Sequence, residues 1–396
     1  MINFKNTEIA FASKSDRDII KARILYGIMA SPFITKVAKS LTQFALMIHF
    51  PINWIVKPTI YNLFVGGETI EECASRVETL GKYGVKSILD YSVEGKENIE
   101  DIEKALAETL KSIENAGKYD NIPFAVFKPT AFTTSVVLTK ASAGEELTEE
   151  EKKEAENFKK RVETLCRRAY EVDVPVLIDA EDSWYQNFID ETVEEMMIKF
   201  NKEKAVVFNT WQMYRKDRLE HLKKSYEKAK EKGYFLGAKF VRGAYMEKER
   251  ERAAKTGYES PIHETKKDTD KSYNDALRFS FEHREIISIF NGTHNEESTL
   301  LLADLMEKNN IDKKDNRFWF SQLYGMSDHI SFNLAAAGYN AAKYLPYGPV
   351  KHVLPYLFRR AEENTSVKGQ TSRELMLIAG EIKRRKKIRK EMKEKN

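Results

Sequence analysis

From residue 85 onward, eight short β-rich runs alternate with longer helical patterns, and no other feature narrows the possible folds as much. The runs are VKSILDY (85–91), PFAVFK (123–128), VPVLIDA (174–180), KAVVFNTW (204–211), FLGAKFVRGAY (235–245), EIISIFNGT (285–293), RFWFSQL (317–323) and AAKYLPY (341–347). Most are apolar almost continuously, the pattern of parallel strands whose two faces are both covered. Between them, segments such as NIEDIEKALAETLKSIENA, IDETVEEMMIKF, LEHLKKSYEKAKEKG and NEESTLLLADLMEKN place apolar residues at helical period with charged outer faces. Eight such units suit a closed barrel better than an open doubly wound sheet, so the expected fold is α/β, a (β/α)8 TIM-like barrel.

The first 84 residues do not alternate and read as an N-terminal α-helical arm, basic and apolar-rich up to Gly66-Gly67. The expected organisation is this arm over 1–84, the barrel over 85–366 and a helical basic tail over 367–396. The charged stretch 142–165 is expected to be a solvated helix, because Leu147, Phe158, Val162 and Leu165 give it one apolar face. The stretch 41–64 is the most apolar, but His49, Pro51, Asn53, Lys57 and Pro58 interrupt it short of the roughly 18 clean residues of a span, so buried helix and turn are expected.

Charge excludes some functions. The 396 residues carry a net +4, yet nine Lys or Arg against two Glu between 383 and 395 make +7 locally, leaving −3 before Lys383. That body has no nucleic-acid footprint. Cys73 and Cys166 lack any partner spacing for a zinc site or a disulfide framework, which fits a reducing compartment. The N-terminus has neither signal-peptide nor transit-peptide character. There is no GxGxxG after the first run, no Walker A loop and no HExxH.

In a barrel, chemistry is carried at the C-terminal ends of the strands. Lys128, Asp179 and Asn209 end the second, third and fourth runs. Lys239, Arg242 and Tyr245 lie on the fifth, Thr293 and His294 follow the sixth, Leu323 ends the seventh, Tyr344 lies in the eighth, and Arg359-Arg360 stand on the next helix. This set is rich in cations and holds no Ser or Cys beside a His and an acid, so it points to an anionic ligand and away from covalent hydrolysis. Structural readings stand beside it: Arg359 as a surface partner of Glu363, Lys128 snorkelling at the mouth, Asp179 as a helix cap, and His294 as a lone histidine with no metal site.

The string KYLPYGPVKHVLPYLFRRAEENTS (343–366) resembles the C-terminal signature of proline dehydrogenases, in which a Tyr is followed by a Pro-x-Gly turn and then Tyr-Leu-x-Arg-Arg-x-x-Glu-Asn. VLIDAED (176–182), GAKFVRGAYMEKER (237–250), THN (293–295) and QLYGM (322–326) extend the resemblance, in the family's order, over about seven-tenths of the chain. It implies that Arg359, Arg360 and Lys128 hold the carboxylate of L-proline, that Asp179 positions the cations, and that Leu323 and Tyr344 wall the ring. It implies non-covalent FAD, with Asn209 and Lys239 near the isoalloxazine, Arg242, Gly243, Ala244 and Tyr245 along the ribityl and phosphate groups, and Thr293, His294 and Glu363 as further contacts. Lys239 and Asn209 stand where many bacterial bifunctional members have Arg and Gln, a eukaryotic-like pattern. Met246 replaces an aromatic residue that often stacks on adenine, and no aldehyde dehydrogenase half is expected.

The implied reaction is hydride transfer from proline to flavin N5, giving Δ1-pyrroline-5-carboxylate, with electrons passed to a membrane quinone. Cations near the substrate nitrogen are expected to keep it neutral, so no dedicated base is required. The alternative is hydroxyproline dehydrogenase, in which a smaller residue replaces the wall tyrosine that this chain keeps as Tyr344. The expected location is cytoplasmic, peripheral at the inner membrane, with the basic tail as the feature suited to an anionic surface.

Overall fold

The structure is a computed structural model that describes residues 2–92, 98–366 and 370–395. It has eight strands: β1 Val85–Tyr91, β2 Ala125–Phe127, β3 Val176–Ile178, β4 Val207–Gln212, β5 Leu236–Val241, β6 Ile287–Gly292, β7 Phe318–Leu323 and β8 Ala341–Tyr347. Each falls on an expected run, and β4 continues one residue past it. They form one sheet in the order β1-β8-β7-β6-β5-β4-β3-β2, and the pairs from β2 to β7 are parallel. The seam between β1 and β2 is bridged where Ser87 N donates to Asn121 O at 2.8 Å. Helices follow every strand, as the (β/α)8 reading requires.

The chain divides into two compact units, one of residues 86–321 and one of residues 1–85 with 322–396. In the contiguous unit, Phe124 and residues of β4, β6 and β7 build an interior aromatic layer. Phe124, just before β2, meets Phe208 of β4, Phe290 of β6 and Trp319 edge-on at centroid distances of 5.7, 5.1 and 5.2 Å. Below it, Asn201 accepts from Val206 N and Val207 N at 2.9 and 2.8 Å, and its amide donates to Val207 O and Phe235 O at 2.8 Å each. One side chain thus ties the starts of β4 and β5. The charged stretch is helical from Glu149 to Glu171, where a Thr148–Glu151 capping box starts the helix and Phe158, Val162 and Leu165 are buried; contrary to expectation, Leu147 precedes it and residues 142–143 end the helix before.

A buried ion pair fixes β4 to its flanking helices. Asp190, on the helix Ser183–Phe200, accepts from Arg218 at 2.8 and 3.2 Å, from Gln186 at 3.0 Å and from Asn209 of β4 at 2.8 Å. Burial raises the Asp190 carboxyl, but the charges of Arg218 and His221 and the hydrogen bonds from Arg218 and Asn209 together bring the group down to about 2. Burial holds nearby His221 at about 4, so Arg218 supplies the opposing charge at neutral pH.

The other unit has its own core, with Tyr26, Phe64, Val353, Leu357 and Ile378 all buried. Tyr26 donates its hydroxyl to Gly325 O, and Tyr61 donates to Gly348 O at 2.9 Å. Gly325 has φ +80, and a Cβ there would stand 2.1 Å from Leu63 O, so both backbone and space require glycine. Lys343 of β8 is fully buried: it pairs with Asp328 at 2.8 Å and donates to Met326 O. The C-terminal residues form one helix, Gln370–Lys395.

The stretch 41–64 departs from expectation. Ile52, Val56, Tyr61 and Phe64 are buried, but Leu41, Phe44, Met47, Ile48, Phe50, Trp54 and Ile55 are exposed. The apolar spacing is helical, but the stripe faces outward. Among the described residues no helix is long and apolar enough to cross a membrane.

Arg218→Met should leave Asp190 buried without its cation and lower unfolding stability at neutral pH by about 3–5 kcal/mol. Because the native pKa of Asp190 is depressed, its contribution is present above the unfolded value of 3.8 and lost as pH falls through about 2. Denaturant titrations from pH 7 to pH 3 should therefore show the gap between wild type and variant narrowing with acid. A gap independent of pH would assign the effect to lost packing.

Candidate active site

At the strand ends of the unit 86–321, four side chains alternate in charge. Lys128, just after β2, sits 2.8 and 2.9 Å from the carboxylate oxygens of Asp90 on β1 and 3.3 Å from Asp179, just after β3. Asp179 in turn receives Lys239 of β5 at 2.5 Å. All four are largely enclosed. Burial raises the Asp179 carboxyl, yet Lys239 and Lys128 together hold it below the usual range. Burial pulls the Lys239 ammonium down, against the pull of Asp179. The cluster is electroneutral, so the cationic excess expected of Lys128 and Lys239 is balanced in place.

Asp90 belongs to this chain but escaped the sequence reading, although it stands in the first run where polar strand-end groups belong. Asn209 directs its amide to Asp190 and accepts from Thr210 N at 2.8 Å. It therefore braces β4 from within the strand.

A second constellation lies on β5 and β6. Arg242 donates to Asp270 at 2.7 and 2.8 Å, to Ser298 Oγ at 3.0 Å and to Thr293 Oγ1, and its guanidinium lies 4.4 Å from the Tyr273 ring centroid. Asp270 was not foreseeable by strand-end position, because it stands inside the helix Lys266–Glu282. Gly243 has φ +130, and a Cβ would come within 2.4 Å of the Tyr214 ring, so the backbone after Arg242 turns where only glycine fits. Ala244 is exposed, and Thr293 is buried beside the half-buried His294. Asn295 caps the helix Glu296–Lys308, leaving its first backbone N–H groups at the end of β6.

Glu181, also unread in the sequence, joins the loops. It accepts from Thr130 Oγ1 at 2.9 Å and Tyr245 OH at 3.2 Å, while Gln212 donates to its carbonyl at 2.5 Å. Its neighbour Asp182 takes Lys248 at 2.6 Å, and Ser183 bonds Glu249 twice at 2.6 Å. The loops after β2, β3, β4 and β5 are thus mutually restrained.

The remaining expected residues lie in the unit of 1–85 and 322–396. Leu323 ends β7 half-buried, and Tyr344, in β8, is 7% exposed and passes its carbonyl to Tyr324 N at 2.7 Å. On the helix Val350–Ser366, Arg360 is buried, donates to Glu363 at 2.6 Å and lies 5.0 Å from the Tyr356 ring centroid. Glu363 is thus a partner of Arg360, three residues earlier, and Arg359 also acts on its carboxyl. Burial raises the Glu363 carboxyl, with Arg360 and Arg359 opposing. Among the described residues no His, Cys, Asp and Glu group could hold a metal ion.

The proline dehydrogenase family model matches residues 73–373. The carbapenem antibiotics biosynthesis protein CarD of Pectobacterium carotovorum subsp. carotovorum is 36% identical, over 82% of this chain and 84% of its own. The mitochondrial proline dehydrogenase 1 of Dictyostelium discoideum is 33% identical, over 96% of this chain and 74% of its own. Among solved structures, proline utilization A (PutA) from Bdellovibrio bacteriovorus, inactivated by N-propargylglycine, matches with a TM-score of 0.72 and 22% identity. That match covers 91% of this chain but 38% of PutA, and at this identity it speaks for the fold alone. The family match spans the barrel and the arginine-bearing helix after it: this chain is an enzyme of the proline dehydrogenase family.

Proposed function

We propose that this chain oxidises L-proline to Δ1-pyrroline-5-carboxylate, with FAD as a non-covalent cofactor and a quinone as the final electron acceptor. The family match over 73–373 carries the reading. The residues at the ends of β5 and β6 suit such a cofactor. The Arg242 guanidinium, the Thr293 hydroxyl and the N-terminal amides of the helix Glu296–Lys308 form a donor set for a diphosphate. Gly243, Ala244, Tyr245 and His294 would line the same cofactor, Asn209 and Lys239 would lie toward its ring, and Glu363 would add a contact. When bound, FAD supplies the hydride acceptor.

The chain's own residues bind and orient. Arg359 and Arg360 take the substrate carboxylate, with Arg360 aimed by its bond to Glu363. Lys128 contributes a fixed donor, but its charge is balanced by Asp90 and Asp179, so the arginines provide the net attraction. Asp179 acts as a positioning residue for Lys128 and Lys239. Arg359 and Arg360 also disfavour protonation of the substrate nitrogen, which must be neutral to form the imine. Leu323 and Tyr344 wall the ring. The absence of a nicotinamide fingerprint in the sequence supports a quinone acceptor, and with it an approach to the membrane.

Purified protein should be yellow, and its flavin bands should bleach on anaerobic addition of proline. A protein that takes up FAD but is not reduced by proline would retain the cofactor assignment and reject the substrate. Arg359→Met and Arg360→Met should each lower kcat/KM for proline by at least about 100-fold, roughly 2.7 kcal/mol, in steady-state assays on flavin-loaded enzyme. Near-normal values in both would remove the carboxylate clamp. Tyr344→Ser should shift the ratio of kcat/KM values toward trans-4-hydroxyproline, since a smaller wall admits the ring hydroxyl. Wild-type enzyme that already prefers hydroxyproline would make it a hydroxyproline dehydrogenase.

A further inference from the structure

The helix Pro32–Met47 is amphipathic, but its polarity is inverted. Phe33, Val37, Leu41, Phe44 and Ile48 recur at spacings of three and four and form one stripe, and all are exposed, Phe33 by 76% and Leu41 by 63%. None of the helix's residues is buried. Its less exposed side begins with Thr35 and Lys39, and Lys39 reaches Glu362 at 2.5 Å and lies over the Phe358 ring. The helix therefore turns Thr35, Lys39 and Thr42 to its own unit, joined by Ala45 and Leu46 in its last turn, and leaves the longer apolar stripe outward.

Neighbouring elements extend that surface. On the preceding helix, Asp16–Met29, Ile20, Ile24 and Ile28 are exposed at four-residue intervals, and after the inverted helix Trp54 is 66% exposed. The basic C-terminal helix lies alongside: Arg385 bonds Asp16 at 2.9 Å and Phe11 O at 3.0 Å, and Ile382 and Lys386 share one groove with Ile20, Ile24 and Ile28. The tail is thus docked along the isoleucine edge through Ile382, Arg385 and Lys386. Charge surrounds the apolar stripe with one sign. Between 17 and 57 there are six Lys or Arg and one acid, Asp18, and the tail adds nine cations against two Glu.

We propose that this face seats the protein on an anionic lipid bilayer, with the helix Pro32–Met47 lying in the headgroup–acyl boundary and the C-terminal helix against the phosphates. An in-plane helix fits what a span does not. The stripe is one-sided, the helix is 16 residues long, and Trp54 stands at its edge, where an aromatic ring suits the interface. Charge decides against a second copy of the chain as occupant, because pairing two such faces would oppose two cationic rims, whereas anionic headgroups neutralise them. The inference rests on this face alone and does not depend on the flavin or proline assignments.

Flotation of the full chain with vesicles of phosphatidylcholine containing phosphatidylglycerol tests it. Wild type should float with these vesicles, and binding should weaken on phosphatidylcholine alone or at high salt. The double variant Leu41→Asp/Phe44→Asp should lose binding at least 10-fold, with an unchanged thermal midpoint because both side chains are exposed. Brominated lipids should quench the wild type, and Trp54→Phe should abolish most of that quenching. Wild type that stays at the bottom of the gradient, or a double variant that floats equally well, overturns the proposal. A lipid-free dimer that the double variant converts to monomer also overturns it, by assigning the face to a second copy.

Discussion

Charge buried at the strand ends must alternate in sign, and the arrangement of the barrel mouth follows from that requirement. Asp90, Lys128, Asp179 and Lys239 come from strands far apart in sequence, yet each is tolerable inside only because the next lies within ion-pair distance. Removing one would leave an uncompensated buried charge, which costs far more than the pair contributes. The same rule places Arg218 against Asp190 and Lys343 against Asp328. These pairs hold the strands at fixed spacing, and the loops that carry Arg242, Glu181 and Tyr245 start from them. Neutral, interlocked strand ends provide walls that do not shift, which is what setting two small molecules against each other requires.

Much of the fold was legible because strands covered on both faces carry an unmistakable apolar density, and all eight runs became strands. Strand-end residues were legible by the same logic, and the resemblance added roles to them. Partners were not. Lys128 and Asp90 are 38 residues apart and Lys239 and Asp179 60, and no local spacing links such pairs. Asp270 and Glu181 act through loops and helices whose approach is set by tertiary packing. Even the nearest pairing was incomplete in the sequence, since Glu363 lies at comparable helical distance from Arg359 and Arg360, and the bond from Arg360 shows only in the structure.

The outward apolar stripe exposes a different blind spot. Periodicity shows that a stripe exists and says nothing about which way it faces; for 41–64 the expectation of burial rested on the usual case. The other side of this helix is where Lys39 meets Glu362, more than 300 residues away in the chain, and where Ala45 and Leu46 reach the core.

The unit that carries this helix is discontinuous, made of residues 1–85 and 322–396. Its core needs both parts: Tyr26 donates to Gly325, and Val56 and Phe64 share a cluster with Val353 and Leu377. This sets an order in time. While the ribosome is making 86–321, the first 85 residues have no complementary surface within the chain, although the contiguous barrel segment can already collect its own contacts. The arm emerges before the barrel segment and is among the last parts to reach its final packing, with long loop closure ahead of it. Throughout that interval its exposed isoleucines and phenylalanines are surfaces that a chaperone or a nearby membrane can occupy.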